Sequence, residues 1–215
     1  MKLSAYQTLI SNLPVRQQCV ETKRTYWRDF EKEFGWLAEL NGCLFQEETL
    51  KISRQEIFDQ NDVARAFVIK VIYWGYAKPG RYAKNFQGIF QSIDSLVKTL
   101  RDIRHIDSPT ANHFEEFARA LRNVKGLGIS TYSKLLYFLG IEIDRNPCLI
   151  LDQTLIKVFS NNVFDEYGSF EKNKYDNAEK WYLDYLDTTN RLAKELQTRG
   201  ENIEQFLFIF GNHLK

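Results

Sequence analysis

Apolar residues recur along this chain at intervals of three and four positions, the spacing of one face of an α-helix. Segments that alternate apolar and polar residues between turn dipeptides, as hairpin strands do, are weak throughout. The helical spacing predicts helices over the ranges 4–12, 16–34, 54–77, 85–102, 110–123, 131–139, 152–159, 178–198 and 201–214. The pattern therefore predicts an all-α chain of roughly eight to ten helices.

The composition supports packed helices and excludes several other classes of protein. Of the 215 residues, 44% are hydrophobic and 14% aromatic, whereas only 11 are glycine and 4 are proline. The sequence contains no run of about 18 apolar residues, so it predicts no membrane span. The first apolar run is too short for a signal peptide. Cys19, Cys43 and Cys148 are too widely spaced for a disulfide framework or a cysteine-rich metal site. We therefore expect a cytoplasmic protein without a metal or other cofactor.

The positive charge is concentrated in the middle of the chain, although the net charge is only +1. Residues 65–125 contain 11 Lys or Arg against 5 Asp or Glu, a local excess of +6. A positive face on a nearly neutral protein fits a polyanionic partner. The same charges also fit a solvated helix surface, so charge alone leaves both interpretations open.

The most informative segment is 121–157, which begins with two helices joined by a glycine turn. Gly126 and Gly128 can form a tight hairpin, because a residue without Cβ adopts positive φ and lets another backbone approach closely. Ser130 and Thr131 are candidate caps of the second helix. The first amides of that helix lack intrahelical partners, and with the helix dipole they favour an anion such as a phosphate. A plain helix–helix turn would show the same pattern.

The order of motifs after this turn resembles a known superfamily. A helix-hairpin-helix over about 114–139 is followed by a Gly/Pro-containing loop over 140–152, in which an apolar run leads into Asp152. This order resembles the helix-hairpin-helix base-excision DNA glycosylases, and most closely their 8-oxoguanine DNA glycosylase-like branch with small bacterial and archaeal members. The resemblance implies a single all-α domain over 1–215, with a two-lobed HhH-GPD-like fold and a cleft between the lobes.

The resemblance also assigns roles to individual residues. In the family, a carboxylate at the position of Asp152 is needed for catalysis, because breaking the glycosidic bond builds positive charge on the deoxyribose. Asp152 also precedes a predicted helix, so a role as an N-cap alone is the competing interpretation. The implied DNA-binding residues are those of the turn and the first helical residues after it, Lys125, Gly126, Leu127, Gly128, Ile129, Ser130 and Thr131.

The position of the family's usual lysine nucleophile holds a different residue in this chain. Bifunctional members attack the sugar with a lysine two residues after the second hairpin glycine, and Ser130 occupies that position here. Serine cannot form a Schiff base, so we expect a monofunctional enzyme that uses water. Lys134 lies one helical turn later and is a candidate amine nucleophile from a shifted position. The competing interpretation is a lysine that only contacts phosphate or solvent.

An extruded base needs an aromatic or apolar clamp and polar groups that read its edge. The candidates for this pocket are Trp74, Tyr132, Gln205 and Phe208. Together these features predict a monofunctional DNA glycosylase that removes a damaged purine, such as 8-oxoguanine, from double-stranded DNA. The alternative is a glycosylase fold with altered chemistry that binds DNA or a nucleotide, in the setting of a bacterial anti-phage defence operon. The oligomeric state stays open.

Overall fold

The computed structural model describes residues 1–214 and consists mainly of helices. The α-helices are α1 Gln7–Ser11, α2 Arg28–Glu33, α3 Gly35–Leu44, α4 Arg54–Phe58, α5 Arg65–Gly75, α6 Ala83–Gln91, α7 Ile93–Arg104, α8 Ala111–Arg122, α9 Ile129–Phe138, α10 Gln153–Ser160, α11 Tyr182–Glu195 and α12 Gly200–Phe210. Short 3-10 helices cover Leu3–Tyr6, Val15–Gln17, Arg24–Trp27, Gly80–Tyr82, Asp165–Phe170 and Tyr175–Trp181. Two small antiparallel sheets pair β1 Cys19–Lys23 with β2 Thr49–Ser53 and β3 Glu142–Ile143 with β4 Asn146–Pro147. The all-α class predicted from the sequence is confirmed.

The strand β1 lies inside the segment 16–34, where the spacing predicts a helix, and that prediction is wrong there. Its partner β2 is distant in sequence, and the two strands pair residue by residue from Cys19–Ser53 to Lys23–Thr49. Val20 and Thr22 are β-branched and suit a strand. Within this segment an α-helix forms only from Arg28 onward, where α2 begins.

The longer predicted helices are each interrupted in the structure. The segment 54–77 forms α4 and α5 with a break between them, and 85–102 is divided at Ser92 between α6 and α7. Ser53 begins α4 with a capping box, because its side chain accepts from the Glu56 amide and the Glu56 carboxylate accepts from the Ser53 amide. Helix periodicity therefore persists across the breaks, whereas the hydrogen-bond ladder does not.

The chain divides into two compact units, each with its own core. The first unit contains residues 1–15, 108–114 and the chain from Tyr132 onward, and the second contains 16–107 and 115–131. Within residues 1–214, no helix is both long and apolar enough to cross a membrane.

The first unit is built around α10, α11 and α12, with α1 packed on α12. Buried aromatic rings fill it, and Phe159 stacks on Tyr167 with 4.7 Å between ring centroids and 25° between planes. The Tyr167 hydroxyl lies 2.8 Å from the Thr189 hydroxyl, so its buried polar end has a partner. Burial raises the pKa of Tyr167 well above its ordinary value, and the ring therefore stays neutral.

The second unit packs α5 against β1, β2 and α7. Trp27 and Tyr73 form the centre of its core, with ring centroids 4.1 Å apart. Their polar atoms are satisfied inside the core: the Trp27 indole N–H donates to the Thr22 hydroxyl at 2.9 Å, and the Tyr73 hydroxyl donates to the Asn41 amide oxygen at 2.9 Å. This unit carries the glycine hairpin, and the first unit carries Asp152.

Candidate functional site

The hairpin buries its apolar side chains and keeps its turn accessible. Leu121, Val124 and Leu127 are at most 5% exposed. The Lys125 side chain is exposed and Gly126 is partly exposed. The Leu127 amide donates to the Val124 carbonyl at 3.1 Å and closes the turn. The turn is therefore accessible at Lys125 and Gly126, while the buried leucines and valine hold it against the unit.

The turn is locked to α6 by two glycines, an arrangement that we call the two-glycine contact. Gly126 has φ +86, and a Cβ placed on it would lie 2.3 Å from the Asn85 carbonyl oxygen. A Cβ placed on Gly88 would lie 2.5 Å from the Lys125 carbonyl oxygen. Both obstacles are backbone atoms, which cannot move aside as a flexible side chain can. The turn therefore has glycine at 126 for a positive φ and for close backbone approach, as the sequence predicts of a hairpin glycine.

The beginning of α9 is held by a tyrosine from the end of α5. The hydroxyl oxygens of Tyr76 and Thr131 lie 2.9 Å apart. The Tyr76 ring packs against Tyr82 and Phe86, with centroids 5.1 and 5.0 Å away. Ser130, the residue at the family's lysine position, is 9% exposed. The first turn of α9 is thus fixed in place together with the hairpin.

Trp74, a predicted base-pocket residue, lies in the core of the second unit and is 6% exposed. Its indole N–H donates to the Gln18 carbonyl at 3.3 Å, and the Arg54 guanidinium lies 4.9 Å from a ring centroid. One face of the ring is therefore occupied by a cation–π contact. A base contact by Trp74 stays a prediction.

Asp152 in the first unit is the N-cap of α10, one of the two roles that the sequence suggests for it. Its Oδ1 accepts hydrogen bonds from the Thr154 amide at 2.9 Å and the Leu155 amide at 3.1 Å. The side chain is partly exposed, and its backbone is extended, with φ −115 and ψ 178. The two amide donors hold the carboxylate at the N-terminus of α10. Both bonds use the same oxygen, so capping is compatible with a second partner at Oδ2.

Three side chains hold the backbone that leads into Asp152, and sequence patterns missed all of them. The Ser133 hydroxyl accepts from the Leu151 amide at 3.1 Å. The Tyr182 hydroxyl donates to the carbonyl of residue 149 at 2.7 Å, and the Tyr185 hydroxyl donates to that of residue 150 at 3.0 Å. No local signal marks these residues, because they lie on other helices. They fix the position of the carboxylate within the first unit.

The apolar run before Asp152, residues 148–151, is buried. Cys148 is 2% exposed, and burial raises the pKa of its thiol to about 12, although the Tyr182 hydroxyl acts in the opposite direction. Burial also raises the pKa of Tyr182 well above its ordinary range. The thiol stays protonated at neutral pH and is a poor nucleophile. Among the described residues, no group of three His, Cys, Asp or Glu side chains is arranged to hold a metal ion.

The other predicted residues of the first unit are mostly buried. Lys134 is 4% exposed and follows Ser133, which bonds to Leu151, the residue before Asp152. With about 3.8 Å between consecutive Cα atoms, this bond keeps the Lys134 and Asp152 backbones within roughly 15 Å of each other. Both residues belong to the first unit, and catalytic roles for Lys134 and Asp152 stay predictions.

The predicted pocket residues of the first unit differ in what they contact. The Tyr132 hydroxyl donates to the Glu179 carboxylate at 2.7 Å. Gln205 is 3% exposed, and within residues 1–214 its Oε1 has no hydrogen-bond partner. Phe208 is partly exposed, three residues further along α12. The buried Gln205 Oε1 is unfavourable unless a ligand or water donates a hydrogen bond to it. Base contacts by Tyr132, Gln205 and Phe208 stay predictions.

Comparison with known proteins identifies a family for this chain. A family profile described as "Putative 8-oxoguanine DNA glycosylase OGG-like protein" matches residues 13–208. No curated protein and no solved structure matches the chain. The matched range includes both the hairpin of the second unit and Asp152 of the first.

Proposed function

Because the chain belongs to the OGG-like DNA glycosylase family, we propose that it cleaves the N-glycosidic bond of a damaged or modified purine. The substrate is double-stranded DNA from which the base is extruded, and 8-oxoguanine is the first base to test. Membership in the family implies a DNA partner and a glycosylase-like function. The identity of the base, the monofunctional mechanism and the residue roles are our proposals.

The observation that carries the proposal is the anchored carboxylate of Asp152. Departure of a purine leaves positive charge on the deoxyribose, and an ionised carboxylate stabilises that charge. Two unit charges about 4 Å apart interact by roughly 4 kcal/mol at the effective dielectric of a protein surface. That energy corresponds to about three orders of magnitude in rate. The amides of Thr154 and Leu155 keep the carboxylate in place while the charge develops.

Water is the proposed nucleophile, because Ser130 cannot form a Schiff base. The hairpin from Lys125 to Thr131 would hold phosphates of the strand through backbone amides and the Lys125 side chain. Lys134 is a candidate amine nucleophile, and an experiment can distinguish it from water. Borohydride traps a covalent lysine–sugar adduct. An adduct that forms with the unmodified protein but not with Lys134→Ala would show that the Lys134 amine, and not water, is the nucleophile.

The decisive substitution is Asp152→Asn. Asparagine caps a helix as well as aspartate does, so folding should be preserved while the charge is lost. We expect base release from lesion-containing duplexes to fall by about 10²- to 10³-fold, as when an electrostatic group of a transition state is removed. Binding of the duplex should persist. An unchanged rate of release in Asp152→Asn would contradict the proposed role.

A second function is favoured by Ser130 at the lysine position. In this alternative the fold binds DNA or a nucleotide and has lost or altered its chemistry. Tight, salt-dependent binding without release of any base from a broad panel of lesions would support it. Its proposed setting, an anti-phage defence operon, is tested by the identity of the neighbouring genes.

A further inference from the structure

An open depression of about 330 Å³ lies beside the basic turn of the second unit. We define the basic turn as residues 77–85, which contain Lys78, Arg81 and Lys84, all exposed. The depression is lined by residues from this turn and from the segment around α2, including Tyr26, Asp29, Phe30, Lys78, Pro79 and Gly80. It lies outside every residue set proposed above for binding or catalysis.

The lining combines an exposed aromatic ring with apolar and charged groups. Tyr26 is 43% exposed, and Phe30 and Pro79, which are largely buried, also line the depression. An aromatic ring on the protein surface offers a stacking face to any base. Lys78 supplies a cation for a phosphate. Asp29 supplies an acceptor for the amino groups of guanine, adenine or cytosine.

The charge around the depression does not repel a phosphate. Asp29 is paired with the Lys32 ammonium at 2.8 Å. The hydrogen bond from Lys32 and its charge hold the pKa of Asp29 below the ordinary value, so the carboxylate remains ionised and locally neutralised. Lys78 is then the uncompensated charge among the residues that line the depression.

The two-glycine contact connects this depression to the hairpin. The basic turn runs directly into α6, whose Asn85 and Gly88 contact the hairpin backbone. From Gly80 to Asn85 the chain is helical, and five residues rise roughly 8–10 Å. Ala83, which lines the depression, and Asn85, which contacts the hairpin backbone, both belong to α6.

We propose that the depression binds a nucleobase in a single-stranded extension of the strand held by the hairpin. The base stacks on Tyr26, and an adjacent phosphate contacts Lys78. This base is distinct from the one released near Asp152. The inference rests on the proposed function for the presence of a bound strand.

The test uses duplexes with a single-stranded extension in which one base is replaced by 2-aminopurine, whose fluorescence is quenched by stacking. The label is moved one nucleotide at a time. We expect quenching by the protein at one or two adjacent positions and none elsewhere. Tyr26→Ala should remove this quenching and weaken binding by roughly 5- to 150-fold, the range for loss of one aromatic stacking contact. Tyr26→Phe should retain both.

Matched controls separate this site from general surface effects. Leu9 is 45% exposed but lies in the first unit, and Leu9→Ala should leave quenching and affinity unchanged. Lys78→Gln should reduce the slope of log affinity against log salt by about 1. Lys98 is an exposed lysine on α7 of the same unit, and Lys98→Gln should not change that slope.

The outcomes distinguish this inference from the proposed function. If Tyr26→Ala binds and quenches like the unmodified protein, the depression is not a base site, and the glycosylase proposal is unaffected. The inference is also overturned if the protein quenches the fluorescence of the free 2-aminopurine mononucleotide but shows no dependence on the position of the label in the strand. If the unmodified protein binds no DNA, the proposed function fails and this inference fails with it.

Discussion

Replacing Gly126 with alanine disturbs the hairpin in two ways that other glycines separate. Gly126 has φ +86, and its Cβ would lie 2.3 Å from backbone of Asn85. Gly140 has φ +68 with nothing within 4 Å, so Gly140→Ala measures backbone strain alone. Gly88→Ala in α6 measures the steric clash alone, because its Cβ would meet the Lys125 carbonyl at 2.5 Å.

The expected magnitudes follow from these geometries. A left-handed conformation destabilises a residue with a Cβ by roughly 1–2 kcal/mol, and overpacking destabilises by roughly 1–3 kcal/mol. Gly126→Ala should therefore lower the free energy of unfolding by about 2–5 kcal/mol, and Gly140→Ala by about 1–2 kcal/mol. Gly42→Ala is the baseline, because its helical Cβ meets nothing within 4 Å. It should be neutral or stabilising by up to about 1 kcal/mol.

Urea denaturation of the four variants provides the free energies of unfolding, followed by two probes to check that the transitions coincide. The same proteins are then titrated with duplex DNA at several salt concentrations. We expect Gly126→Ala and Gly88→Ala to weaken binding even where both remain folded, because each displaces the turn from α6. The reasoning is refuted if Gly88→Ala has the same free energy of unfolding and the same affinity for DNA as Gly42→Ala.

Three further predictions concern the thiols, the support of Asp152 and a surface ion pair. Cys19 and Cys43 are exposed and Cys148 is buried, so Ellman's reagent should titrate two thiols in the folded protein at pH 8 and a third only in denaturant. Folding raises the pKa of the Cys148 thiol from 9.0 to about 12. The contribution of the protonated thiol to the free energy of unfolding is therefore complete below pH 9 and is lost as the pH rises towards 12. That loss amounts to about 4 kcal/mol, and a flat alkaline unfolding curve would contradict it. Ser133→Ala leaves the buried Leu151 amide without its hydroxyl acceptor and should cost about 1–3 kcal/mol, with a larger fall in base release than in DNA binding; equal falls would argue against a positioning role. The hydrogen bond and charge of Arg65 lower the pKa of Asp94, but the pair is exposed, so Asp94→Asn should cost less than about 1 kcal/mol at pH 7. That contribution is present above the ordinary carboxyl pKa and disappears as the pH falls through the lowered one, which acid titration of both proteins will show.

Local patterns in the sequence determine much of the helical framework and one helix cap. The helices α8, α9, α10 and α12 lie close to the predicted ranges, because a helix face repeats within a single turn and is written in neighbouring residues. The cap at Asp152 could be predicted for the same reason, since its partners are the amides two and three residues later. The hairpin glycines likewise predict a turn, and in the structure Gly126 adopts the positive φ that this turn requires.

Tertiary structure alone decides which distant segments meet. The pairing of β1 with β2 overrides helical spacing, because the hydrogen bonds of a strand depend on a partner elsewhere in the chain. The reason for Gly88 is invisible in α6 and becomes clear only where Lys125 approaches it. The sequence thus determines many of the helices and the capping role of Asp152, whereas packing between residues far apart in the chain decides what holds that carboxylate and the hairpin in place.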